Sequence, residues 1–159
     1  MTMGLFDMFR KEKTEQKKAE SKPKVFEDEF TDVQTGLISL CMELARENAD
    51  KVYAYCSIED NSQMFNAFFE KDGRILKNNQ VGASNETVMD FLKLGSRDLD
   101  VLRDVCVRYG KPVPRQIKMV YDAKTHGFDS KISYDSLQKE NKSAGQAFMD
   151  WRSEVENRN

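Results

Sequence analysis

The sequence predicts an α+β fold: an antiparallel sheet of about five strands with helices packed on it, in the order helix-strand-strand-strand-helix-strand-strand-helix. Three observations carry that prediction. Apolar residues recur at helical spacing in two long stretches, 33–48 and 88–109. Around them lie short alternating segments rich in Tyr, Phe, Val and Ile, the composition of strands. Asp72-Gly73 and His126-Gly127 then interrupt those segments in the manner of two-residue hairpin turns.

Along the chain, residues 1–24 come first and carry seven Lys/Arg against four Asp/Glu. They open with Leu5, Phe6, Met8 and Phe9 and then become polar as far as Pro23. This composition predicts a basic, disordered extension, with at most weak anchoring to a membrane through its few apolar residues. A single domain is expected over 25–159. Its first helix carries Val33, Leu37, Leu40, Cys41 and Leu44 on one stripe, with Thr31 or Asp32 as N-cap and an end near Asn48.

Lys51 to Asp60, KVYAYCSIED, is apolar or aromatic on both sides of the strand, which places it in the middle of the sheet. The next strand, in QMFNAFFEK, turns at Asp72-Gly73 into Arg74–Lys77. After Gly82-Ala83-Ser84-Asn85, a helical stripe runs through Val88, Phe91, Leu92, Leu99, Leu102, Val105, Cys106 and Tyr109. Gly110 and Pro112 stop it, while Gly95-Ser96 marks a kink or a break between two shorter helices. The last helix carries Ala147, Phe148, Trp151 and Val155, and all helices are expected against one face of the sheet.

The second hairpin lies in Ile117–Asp135, IKMVYDAKTHGFDSKISYD. With the turn at His126-Gly127, Met119 faces Tyr134 and Tyr121 faces Ile132. The same register sets Lys118 against Asp135, Asp122 against Lys131 and Lys124 against Asp129, three opposite-charge pairs. Gly127 is expected to supply the positive φ of the turn. His126, the only histidine, is then a loop-tip residue with no second titratable group to orient it, and not a catalytic base.

The formal net charge of −2 conceals an acidic body: residues 25–159 carry eighteen Lys/Arg against twenty-three Asp/Glu. Such a body disfavours nucleic acid and suits a basic partner. Cys41, Cys56 and Cys106 are widely spaced with no C-x-x-C, so they read as reduced, buried residues in a cytoplasmic protein. No stretch approaches the roughly 20 apolar residues of a membrane span, and the first residues lack the pattern of a signal peptide. Phosphate-loop, dinucleotide, zinc-protease and nucleophile-elbow motifs are missing from the sequence, so neither an enzyme nor a cofactor or metal site is expected. Glu27, Asp28, Glu29 and Asp32 cluster ahead of the first helix, and Glu59 and Asp60 end a strand. Acidic runs in such places are ordinarily solvated or complement a helix dipole.

VYAYCS, then FNAFF, then PRQIKMVYDAKTHGFDSKISYD and a terminal FMDW together resemble the YezG-like immunity proteins of Gram-positive bacteria, over about Val33 to Val155. The most specific part is Pro114 through Tyr121-Asp122 and on to Tyr134-Asp135; the extension 1–24 lies outside the resemblance. The resemblance implies a non-enzymatic cytoplasmic protein that neutralises a cognate toxin, commonly a nuclease, exported by a type VII-like secretion route. On that view the exposed carboxylates Glu27, Asp28, Glu29, Glu59 and Asp60 contact the toxin domain, with Tyr53 or Tyr55 as aromatic anchors. The alternative class is a non-enzymatic regulatory or small-ligand-binding module.

Overall fold

The computed structural model describes residues 25–158, so expectations for the extension 1–24 lie outside the described residues. Its elements are α1 (Phe26–Leu44), β1 (Lys51–Ile58), β2 (Gln63–Lys71), β3 (Arg74–Lys77), α2 (Asn85–Arg108), β4 (Gln116–Asp122), β5 (Phe128–Ser133) and α3 (Ala144–Arg158). The five strands form one antiparallel sheet in the order β3-β2-β1-β4-β5, the α+β architecture predicted, with β1 at its centre.

Pleating divides the side chains of β1. Val52, Ala54, Cys56 and Ile58 join Phe65, Phe69, Ile117, Met119 and Tyr121 in a core covered by α1 and α2. Tyr53 and Tyr55 point the other way, where they meet Phe68 and the buried Ala147, Phe148, Trp151 and Val155 of α3. The helices therefore cover both faces, which corrects the expectation of one. The reason is the aromatic half of β1: each large ring left in water would forgo roughly 1.5–3 kcal/mol of burial, and α3 supplies the matching apolar stripe.

The N-cap of α1 is Val25 rather than Thr31 or Asp32, and the helix ends at Leu44, not near Asn48. Val25 provides no side-chain cap, and Phe26 reaches the rings of Phe30 and Tyr109. Packing onto α2 thus outweighs the missing cap. Arg46 and Glu47, both at positive φ, stop the helix, and Glu47 N–H donates to Met42 O at 2.9 Å. α2 runs unbroken through Gly95-Ser96. Asp72 and Gly73 adopt positive φ (51° and 77°), the geometry of the predicted β2–β3 turn.

The β4–β5 register departs from expectation. Tyr121 faces Phe128, Met119 faces Ser130, Lys118 faces Lys131 and Ile117 faces Ile132. None of the three predicted charge pairs forms in that alignment. Asp122 is the cause: its Oδ1 accepts from Lys124 N–H at 2.9 Å and Thr125 N–H at 3.2 Å, winding 122–127 into a longer loop than a two-residue turn. The positive φ belongs to His126 (63°) and not to Gly127. The displacement is by four residues, an even number, so the strand faces are as predicted while the partners are not.

Candidate partner-binding surface

Glu59 follows β1 with its side chain turned inward, 15% exposed. Its Oε1 accepts the Leu137 amide at 2.8 Å and its Oε2 accepts Ser136 Oγ at 3.0 Å, with Arg115 Nη1 3.4 Å away. Leu137 is buried in the α3-side core, so this carboxylate fastens the β5–α3 connection to the end of β1. Arg115 also holds Asp60 Oδ1 at 2.8 Å, and its own amide donates to Ser133 O at 2.8 Å. Four segments thereby meet at one corner. Asp60 and Asp135 remain on its surface with side chains 78% and 80% exposed, and Tyr134 is 55% exposed. Chemically, the corner can present carboxylates and one phenol to a cationic or hydrogen-bonding partner from a backbone fixed by the Glu59–Arg115 contact.

The first-turn acids of α1 divide in the same way. Glu29 accepts both of its 3.0 Å contacts from Arg108 Nη1 and also takes the Tyr109 hydroxyl, tying the start of α1 to the end of α2. Hydrogen bonding to Glu29 raises the pKa of Arg108 and, as the main cause, that of Tyr109. Glu27 is exposed and Asp28 half-buried, both in the turn where negative charge complements the free amides of the helix. These carboxylates lie within α1 and not ahead of it, as the early start requires.

Of the seven residues predicted to meet a partner, then, Glu27, Asp28 and Asp60 are presented, while Glu29 and Glu59 are committed to internal partners. Tyr53 and Tyr55 are in the core, 7% and 0% exposed, which removes them as surface anchors. Tyr53 stacks on Phe68 at 4.6 Å between ring centroids and meets Trp151 edge-on at 5.8 Å. Tyr55 donates to Gln116 Oε1 at 2.8 Å, and burial pushes its phenol up to about 12. Arg115, Tyr134 and Asp135 escaped the sequence reading as surface residues. Their signal was positional: Arg115 follows Pro114 directly before β4, and Tyr134-Asp135 directly follows β5.

His126 has a titratable neighbour after all, since Tyr121 Oη lies 3.1 Å from its Nδ1. Exposed on the loop, it caps the hairpin's first phenol, and its amide donates to Asp122 O at 2.8 Å. Among the described residues no three His, Cys, Asp or Glu side chains gather as a metal site. Cys41, Cys56 and Cys106 are free and buried, and burial raises all three thiol pKa values. Among the described residues no helix is long and apolar enough to cross a membrane. No protein-family model matches the chain, and no curated protein matches it.

Proposed function

We propose that this protein is a stoichiometric, non-enzymatic inhibitor of a cognate toxin domain, acting in the cytoplasm as the resemblance to YezG-like immunity proteins implies. The observation that carries the reading is the corner at which Glu59 and Arg115 fix the backbone while Asp60, Asp135 and Tyr134 stay exposed. A nuclease site attracts phosphate, and exposed carboxylates on a rigid support are suited to filling it. The net acidity of residues 25–159 supports the same pairing through faster encounter with a basic surface.

The test is to co-express this chain with the toxin domain encoded beside it, reading cell growth and recovery of a complex. Protection and a one-to-one complex are expected, with association slowed by Asp60→Lys and Asp135→Lys. Growth arrest without complex, for every toxin candidate at the locus, would overturn the proposal and leave a ligand-binding module as the remaining class.

A further inference from the structure

β5 closes one side of the sheet, and among the described residues no strand covers its outer edge. Asp122 N–H donates to Gly127 O at 2.9 Å, which makes 122/127 a hydrogen-bonded pair in the β4–β5 ladder. Antiparallel ladders alternate, so Asp129, Lys131 and Ser133 also turn their amides toward β4. The amides and carbonyls of Phe128, Ser130 and Ile132 consequently face the open edge. Phe128 and Ile132 are also 44% and 40% exposed on the α1 side, flanking Ser130. On the α3 side Asp129 and Lys131 are exposed and form no ion pair among the described residues, and the residue opposite Lys131 is another lysine, Lys118.

We propose that β5 pairs antiparallel with β5 of a second copy of this chain, about a two-fold axis through Ser130, joining two sheets into one. The strand reads Phe-Asp-Ser-Lys-Ile around that centre. With Ser130 opposite Ser130, Phe128 faces Ile132 and Asp129 faces Lys131, each twice, and every outward amide meets an outward carbonyl. Three hydrogen-bonded residue pairs, each exchanging two bonds, give about six backbone hydrogen bonds across the axis.

The charges select this register over its neighbours. Pairings that keep outward amides facing each other slide the centre one residue at a time. Centring on Asp129 sets Asp129 against Asp129, and centring on Lys131 sets Lys131 against Lys131. Like charges directly opposite each other oppose pairing, whereas opposite charges favour it. Charged residues on an edge strand ordinarily guard it against indiscriminate association. Here the same two charges block the adjacent registers and admit the one centred on Ser130.

Sedimentation equilibrium of the full chain over a rising concentration series tests the pairing. A reversible monomer–dimer equilibrium is expected. Asp129→Lys and Lys131→Asp, each alone, place like charges opposite one another twice and should weaken the dimer by about tenfold or more. Mixing these two variants restores both attractive pairs, so a heterodimer should form with near wild-type affinity. Ile132→Pro removes an outward amide that β4 does not use, and it should abolish the dimer while circular dichroism shows the fold intact. A wild-type chain that stays monomeric throughout, a dimer that the charge changes leave unaffected, or one that they weaken and mixing does not restore, overturns the proposal.

Discussion

Gly95, in the middle of α2, lies against the ring of Phe65 on β2, with no room between them for a Cβ atom. A glycine inside a helix ordinarily costs roughly 0.5–1 kcal/mol relative to alanine, so the sign of a substitution here is set by packing. Phe65 is buried and tilts against Phe91 at 5.2 Å between ring centroids, leaving the ring little freedom to move aside. Gly95→Ala is expected to destabilise by about 1–3 kcal/mol in urea unfolding, the cost of overpacking. Gly145 in α3 is the control, because a Cβ there would meet only Ser143 Oγ at 4.0 Å; Gly145→Ala should gain at most the roughly 0.5–1 kcal/mol of a helix interior, and less here because Gly145 lies in the first turn of α3. Equal effects at the two glycines would contradict the close approach.

Glu59 and Asp60 are neighbours with different tasks. Glu59→Ala strips the Leu137 amide and Ser136 hydroxyl of their acceptor, with an expected loss of about 1–3 kcal/mol. Asp60→Ala removes one exposed contact to Arg115 and should change stability by less than about 0.5 kcal/mol. On the proposed function, association with the toxin domain should show the reverse sensitivity in rate. Similar melting temperatures for both variants would remove the structural role assigned to Glu59.

The sheet was readable because its signals are local. Asp72-Gly73 needs two positive φ values, and the two-sided apolar pattern of Val52–Ile58 suits only a central strand. The β4–β5 partners were not readable, because the side chain of Asp122 sets the loop length by bonding two amides downstream. The start of α1 was hidden similarly: Val25 gives no cap, and the stabilising contact is with Tyr109, eighty-three residues beyond Phe26. At the candidate surface, Glu59 looked like Asp60 in sequence, and only the position of Leu137 separates them. Tyr55 belongs to the same class, since a tyrosine in an alternating strand faces solvent or core according to what covers it. Here the cover is α3, which comes after every strand of the sheet in the chain.

Burial sets the alkaline behaviour. Cys41 and Cys56 are fully buried and their thiols are raised mainly by loss of water, while Tyr55 is raised to about 12 by the same cause. A group with a raised folded pKa contributes stability that is fully present below its unfolded value and lost as pH rises through the folded one. For Tyr55 the unfolded value is about 10, so its contribution should decline across roughly pH 10 to 12. A thiol-reactive chromogen at pH 8 should label none of the three cysteines in the native chain and all three in denaturant. Stoichiometric native labelling would show that the cores open.

Lys118 and Lys131 face each other across β4 and β5, and Lys118 Nζ lies 5.8 Å from the ring centroid of Trp151. The ring gives Lys118 a cation–π contact, while Lys131 gains no such compensation among the described residues. Lys131→Glu converts a like-charge pair into an attractive one and should stabilise the fold by roughly 0.2–1 kcal/mol. In dilute solution that corresponds to a rise of about 1 to 4 °C in melting temperature. The same change sets the new carboxylate against Asp129 of the second copy, so it should weaken self-association as it stabilises each monomer. A double-mutant cycle between Asp122 and Lys131 should meanwhile give less than about 0.3 kcal/mol, since Asp122 faces Gly127. The register fails if Asp122 and Lys131 couple strongly and Lys131→Glu lowers the melting temperature. If Lys131→Glu raises both the melting temperature and the dimer affinity, the register stands and the Ser130-centred pairing fails, because only the latter places residue 131 opposite an aspartate.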